Sequence, residues 1–245
     1  MKNTQTLAKM NALKLFGMHD YFTASIKTRE HEQLTADELL ALLIEAEYDA
    51  RKTKKINASL KKAKFRYPAS IETVIFKASR NLDKNTFIRL SDCSYIAKNE
   101  GVIITGATGV GKSHLASALG NEACIMGYKV AYYNMNKLFT LLRMSKADNS
   151  YLKLLESIAK KDLLILDDFG IQPFDAATCL MLLEIIEDRH GKKSTIIASQ
   201  VPVKKWHELL AEQTLADAIL DRIIHTSTKI ELQGESLRKT QSKNN

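Results

Sequence analysis

The chain has little sulfur and no long apolar run. Its three cysteines, Cys93, Cys124 and Cys179, are an odd, scattered set with no CxxC pair. That argues against a disulfide framework or a zinc site and fits reduced cytosolic thiols. No stretch approaches the ~18 uninterrupted apolar residues of a membrane-spanning helix. The N-terminal residues show no apolar h-region, so no secretory signal is expected and the expected compartment is the cytoplasm. The six histidines (His19, His31, His114, His190, His207, His225) show no HxxxH spacing, so no histidine metal site is expected. There is no internal repeat. What remains is 245 residues, 45% apolar and 26% charged, which is ordinary for one or two globular domains. The formal net charge of +8 favours a polyanionic partner.

Residues 1–66 read as helical, without strand-like alternation. Thr35 and Glu38 fit a capping box, followed by an apolar face of Leu39, Leu40, Leu42, Leu43 and Ile44. Tyr67-Pro68 marks a break, because the residue before proline is pushed out of the helical region. We therefore expect a helical N-terminal domain over 1–66 and a second domain over 67–245, opening with a second short helical stretch over 68–100. From Gly101 onward, short apolar runs at 102–105, 129–133, 163–166 and 195–198, with a last candidate strand at 228–232, alternate with helical patterns at 112–126, 136–160, 176–190 and 204–224. That rhythm predicts an α/β fold with a doubly wound parallel sheet. Asp175 and Gly191 are the expected caps of the 176–190 helix.

Gly106-Ala107-Thr108-Gly109-Val110-Gly111-Lys112-Ser113 fits GxxxxGK[ST], with an apolar strand before it and a helical pattern from His114 after it. Strand, glycine loop and helix N-terminus make an anion cradle. Glycines let the backbone approach phosphates, and N–H groups and the helix dipole point at the oxyanions. Lys112 is expected to reach the β- and γ-phosphates, and the Ser113 hydroxyl to ligate Mg²⁺.

Leu163-Leu164-Ile165-Leu166-Asp167-Asp168 reads as a buried strand that delivers two carboxylates at its C-terminal edge, where ligands of such sheets bind. Asp167 is expected to hold Mg²⁺ and Asp168 to polarise the attacking water as a general base. Two adjacent, partly buried carboxylates also require a nearby cation. Ser199-Gln200 ends the next strand, either beside the γ-phosphate, orienting water, or as ordinary loop residues. Arg222 is either a finger for a neighbouring subunit's γ-phosphate or a local partner of Asp221 or Asp217.

The segment from Arg51 to Arg66 holds eight positive residues, Arg51, Lys52, Lys54, Lys55, Lys61, Lys62, Lys64 and Arg66, and no acid. It is the leading candidate for a DNA-binding surface, tolerant of sequence because no pattern for base readout accompanies it. Ile56, Leu60 and Ala63 form a stripe that packs inward whether or not the lysines meet phosphate.

Together these residues resemble the AAA+ ATPases, and specifically the IstB family of ATP-binding transposase helpers from bacterial insertion sequences. The likeness also includes Leu39-Leu40-Ala41-Leu42-Leu43-Ile44-Glu45-Ala46-Glu47, Glu187-Asp188-Arg189-His190, Thr195-Ile196-Ile197-Ala198-Ser199-Gln200, Leu215-Ala216-Asp217-Ala218-Ile219-Leu220-Asp221-Arg222 and Gly234-Glu235-Ser236-Leu237-Arg238. It thus spans nearly the whole chain. The resemblance implies an AAA+ core with strand order 5-1-4-3-2 and Mg²⁺-dependent, DNA-stimulated ATP hydrolysis. It implies a homo-oligomer with ATP at subunit interfaces, assembly on double-stranded DNA, and recruitment or activation of a transposase. DnaC-type helicase loaders look similar over the core, so a loader acting in replication is the alternative. On this resemblance Arg222 is the trans-acting finger and Ser199-Gln200 the sensor-1 segment. Asp168 stands where AAA+ proteins at large carry Glu. The chain ends soon after the last strand, so no helical lid is expected, and Arg238 is the candidate for a lid-borne sensor arginine's place.

Overall fold

The computed structural model describes residues 2–76 and 78–237. The four apolar runs and the last candidate strand form β1 (Gly101–Gly106), β2 (Val130–Asn134), β3 (Leu163–Phe169), β4 (Ser194–Ser199) and β5 (Ser227–Leu232). All pair in parallel in one sheet of order β2-β3-β4-β1-β5, which read from the other edge is the expected 5-1-4-3-2. Alternation along the inner strands β1, β3 and β4 sends side chains to two covered faces, so they are largely apolar, whereas edge strand β5 buries only Ile230 and Leu232. Val102, Ile104 and Ile165 pack on one face, against α4 (Lys84–Ser91), α5 (Ser94–Ala97) and α6 (Lys112–Ile125). Ile103, Leu164, Leu166 and Ile197 pack on the other. They meet α7 (Met135–Ala147), α8 (Tyr151–Ala159), α9 (Ala176–Arg189) and α10 (Gln213–Ile224).

Two helical patterns are broken where they read as continuous. The 136–160 pattern splits into α7 and α8 because Asp148 accepts the Ser150 N–H at 3.0 Å and Asn149 turns left-handed at φ 59°. That local turn satisfies backbone groups a helix would otherwise use. The 204–224 pattern starts with two single 3₁₀ turns around Trp206 before α10 begins. Trp206 is fully buried against Phe169, with ring centroids 4.4 Å apart, and its indole N–H reaches Val201 O at 2.8 Å. Asp175 caps α9 through the Thr178 N–H at 2.7 Å, and Gly191 follows the helix end with φ 67°.

The N-terminal residues form α1 (Lys2–Ala12), α2 (Phe16–Thr28) and α3 (Ala36–Ala63). The chain divides into two compact units at Ala58/Ser59, inside α3 and eight residues before the Tyr67-Pro68 break expected from sequence. The reason lies in packing: Leu60, Ala63, Phe65 and Tyr67 all join the β1–α6 core. In the N-terminal unit Thr35 and Glu38 form the capping box, with the Thr35 N–H donating to Glu38 at 2.8 Å. Gly17 lies so close to α3 that an added Cβ would stand 2.3 Å from Ala46 O. The Glu47 carboxylate accepts the Gly17 and Met18 N–H groups at 2.8 and 3.3 Å and Arg51 Nε at 2.6 Å. The expected apolar face of α3 is only partly covered: Leu39 and Leu43 are half-buried, whereas Leu40, Leu42 and Ile44 are exposed. Two short helices can cover only one stripe of a long helix, not a broad face.

All three cysteines are free and buried. Burial pushes Cys93 up to about 12, helped by Glu122 and Asp92, and Cys124 to about 11. Among the described residues no helix is long and apolar enough to cross a membrane.

Candidate nucleotide site

The glycine loop leaves the end of β1 and delivers α6 at Lys112. Gly106, Gly109 and Gly111 have φ of 147°, 85° and 97°, a region side chains avoid. At Gly106 an added Cβ would also lie 2.3 Å from Leu232 O. Val110 is buried and pins the loop, Ala107 and Thr108 are exposed, and Gly109 is half-buried, its carbonyl accepting the Leu237 N–H at 3.0 Å. Lys112 is largely buried, with Nζ donating to Ala107 O at 2.8 Å. Thr108 Oγ1 donates to Gln200 Oε1 at 2.7 Å. His114 Nε2 lies 3.3 Å from Thr73 Oγ1. Burial, then Arg80, lowers the His114 pKa from 6.5, so the imidazole is neutral at pH 7.

Ser113 Oγ donates to Asp167 Oδ1 at 3.0 Å. The strand and the glycine loop, 54 residues apart in sequence, therefore meet at the expected pair of oxygens. Asp167 is 1% exposed and also accepts the Tyr132 hydroxyl. Burial, then the Asp167 charge, pushes the Tyr132 phenol well above its ordinary range. Asp168 sits at an irregularity in the β3–β4 register with φ 61°, a strained conformation for a carboxylate residue. The twist turns it out of the strand alternation toward Asn134, whose Nδ2 donates to Asp168 Oδ2 at 2.7 Å. The cation that two adjacent carboxylates demand is Arg66. Its Nη1 lies 2.8 Å from Asp168 Oδ2 and 3.4 Å from Asp167 Oδ2. Burial alone would lower the guanidinium pKa, but Asp168, Tyr67 and Asp167 outweigh it and raise it.

Three readings change here. Ser199 and Gln200 part company: Gln200 touches the loop, but Ser199 is fully buried, donating to Phe169 O at 2.7 Å and accepting the Val201 N–H at 3.0 Å. Its hydroxyl ties β4 to β3. Arg222 pairs with neither Asp221 nor Asp217 but with Glu187 Oε1 at 2.6 Å, and Nη1 donates to Ala218 O at 2.7 Å. It lies beside Gly101, Thr226 and Ser227, where strands begin. The glycine loop sits where β1 ends, about 17 Å away at ~3.3 Å per residue. Finally, Arg66 leaves the basic block for the acid pair, and Arg51 is held by Glu47, whereas Lys52, Lys54, Lys55, Lys61, Lys62 and Lys64 are exposed. Ile56 and Leu60 are half-buried and Ala63 buried, so the stripe faces inward. Arg238 lies outside the described residues.

The sequence profile of the IstB-like ATP binding proteins matches residues 8–245. The chain belongs to the IstB-like family. It is 43% identical over 236 residues to the putative insertion sequence ATP-binding protein y4pL of Sinorhizobium fredii, covering 96% of each chain. To the putative ATP-binding protein of insertion sequence IS21 from Pseudomonas aeruginosa it is 28% identical, covering 94% of this chain and 86% of that one. Its fold is similar to that of the DnaC helicase loader, with a TM-score of 0.60 and 21% identity over 68% of this chain and 98% of that one. AMPPCP-bound DnaA from Aquifex aeolicus is similar at TM-score 0.57 and 21% identity, over 74% of this chain and 56% of that one. This IstB-like chain is thus an ATP-binding protein with an AAA+ fold.

Asn134 of the IstB-like site is not among the residues expected from sequence. Its only signal was a polar residue closing β2, the strand beside β3. Arg80, also not among them, is buried beneath the loop with Nη2 donating to Val110 O at 2.8 Å and Nε without a hydrogen-bond partner.

Proposed function

We propose that this chain is a Mg²⁺-dependent ATPase that assembles on duplex DNA and recruits or activates the transposase of its insertion sequence. The observation that carries the reading is the 3.0 Å contact of Ser113 with Asp167 at the glycine loop, with Asp168 next in the chain. The family supplies the context: relatives bear the name of insertion sequence ATP-binding proteins.

The residues suit a Mg²⁺-bound nucleotide. The loop is a cradle that a Cβ would fill, since one built on Gly111 stands 2.8 Å from Arg80 Nη2. Among the described residues no cluster of three or more His, Cys, Asp or Glu forms a metal cage. Ser113 and Asp167 would therefore hold a Mg²⁺ whose remaining oxygens come from phosphate and water. Once bound, the ion neutralises charge on the β- and γ-phosphates. Lys112 reaches the same oxygens. Asp168, aimed by Asn134, accepts a proton from the attacking water. The 2.7 Å tie of Gln200 to Thr108 of the loop supports a role for its amide in orienting that water. Arg222 cannot reach its own chain's loop, which supports a finger offered to a neighbouring copy. The exposed lysines of α3 suit DNA phosphate.

Light scattering of protein with duplex DNA and ATP tests the assembly. Particles that stay monomeric would sink it. DNA-stimulated phosphate release and co-sedimentation with the transposase test the remaining steps; capture of a replicative helicase instead would favour a loader.

A further inference from the structure

Arg66 is the last of eight cations in a row, yet it is turned away from the row. Its Nη1 bridges Asp168 at 2.8 Å and Asp167 at 3.4 Å. We propose that Arg66 is a displaceable latch: it occupies the acid pair until Mg²⁺-nucleotide takes it, and once released it serves DNA phosphate beside Lys61, Lys62 and Lys64. The DNA half of this rests on the assembly reading above; the metal half stands apart from it.

Three observations support the exchange. First, the carboxylates that Arg66 spans are the ones the metal and the water need. A guanidinium 2.8 Å from Asp168 Oδ2 covers the very oxygen that an attacking water needs. A divalent ion at Ser113 and Asp167 in turn repels a guanidinium held this close. Second, the backbone beside Arg66 is fixed, so only its side chain needs to move. Phe65 packs edge-on to Tyr132, with centroids 6.3 Å apart, and fills the space over Gly120. Third, the Arg66 side chain is 40% exposed and follows the exposed Lys64, so a polyanion can draw it outward. Two ligands that compete with the same contact help one another. By linkage, DNA lowers the Mg²⁺ requirement by the factor by which Mg²⁺-ATP tightens DNA binding.

The test is fluorescent ATP-analogue binding by the full chain, titrated with Mg²⁺, with and without a duplex at low salt. Wild type is expected to show a Mg²⁺ midpoint lowered about five-fold or more by duplex. Arg66→Ala should show the lowered midpoint without DNA, and duplex should no longer shift it. Arg66→Lys, which keeps a charge but not the fork, should fall between. Should Arg66→Ala fail to fold, Arg66→Gln takes its place and is expected to match it. Equal midpoints for wild type and Arg66→Ala without DNA would overturn the latch. A duplex shift that persists in the variant would overturn the coupling. If duplex does not bind at all, the assembly reading fails, while the DNA-free comparison still decides the latch.

Discussion

Asn134 donates to Asp168 Oδ2 at 2.7 Å while its own Oδ1 accepts the Lys137 N–H at 3.3 Å, so one amide both aims the proposed base and caps α7. The two roles separate on mutation. Asn134→Ala is expected to lower ATP turnover about ten-fold, the loss of one hydrogen bond to a charged group, with ATP affinity unchanged. It should also cost about 1 kcal/mol of stability from the lost cap. Asn134→Ser, which keeps a cap, should restore stability but not turnover. Phosphate-release kinetics and thermal melts read the two; loss of affinity in place of turnover would contradict the assignment.

Lys112 is buried within the loop, its Nζ 2.8 Å from Ala107 O. Lys112→Ala is expected to weaken ATP binding about a hundredfold, the worth of a charge-assisted contact to phosphate. The far-UV spectrum should stay unchanged, and equilibrium binding of a fluorescent nucleotide measures the loss.

Arg222 offers a mixing experiment. Arg222→Ala should bind ATP normally and lose turnover, and Lys112→Ala should lose both. Mixed copies should recover part of the activity, because one supplies a sound loop and the other the arginine. The Glu187 pair is half open to solvent, so its loss should cost under about 1 kcal/mol. A mixture as inactive as its components, or turnover unchanged in Arg222→Ala, would refute the shared site.

Glu47 makes the N-terminal unit sensitive to acid. Burial works against its ionisation, but Arg51 and the Met18 and Gly17 N–H groups outweigh this and hold its pKa below 4.5. A lowered folded pKa means that the contribution is fully present above about 4.5 and is lost as pH falls through the folded value. Glu47→Gln should destabilise the unit by about 1.5–3 kcal/mol at pH 7 and make it less responsive to acid. Amide exchange of α1 and α2 at pH 7 and pH 3 checks this, and equal acid sensitivity in the variant would count against it.

The lysines after Ala58 set the salt dependence of DNA binding. Replacing Lys61, Lys62 and Lys64 by Ala should reduce the magnitude of the log–log salt slope by about 2.7, at ~0.9 per phosphate contact. An unchanged slope would move the DNA surface elsewhere.

The sheet was legible because parallel strands covered on both faces leave uninterrupted apolar runs, and 163–166 has few other uses. The glycine loop and Asp167 were legible because phosphate chemistry restricts residue type and spacing together. Arg66 was not: it reads as one more cation in a row, and only tertiary packing at Phe65 turns it toward the acids. Ser199 misled because a hydroxyl at a strand end looks the same whether it meets ligand or a neighbouring carbonyl. Trp206 broke a helical pattern for a related reason, since a buried indole must find an acceptor and the periodicity of apolar residues carries no record of that need. The α3 face failed differently: sequence shows which residues are apolar, but not how much of α3 two short helices can cover.

The buried thiols give the folded chain a chemical silence. Cys93 and Cys124 belong to one side of the sheet and Cys179 to the other. With pKa values raised and no access to solvent, none reacts as a thiolate while its side is closed. Alkylation at each position therefore counts the openings of its own layer, so the two halves of the core carry separate built-in clocks for local unfolding.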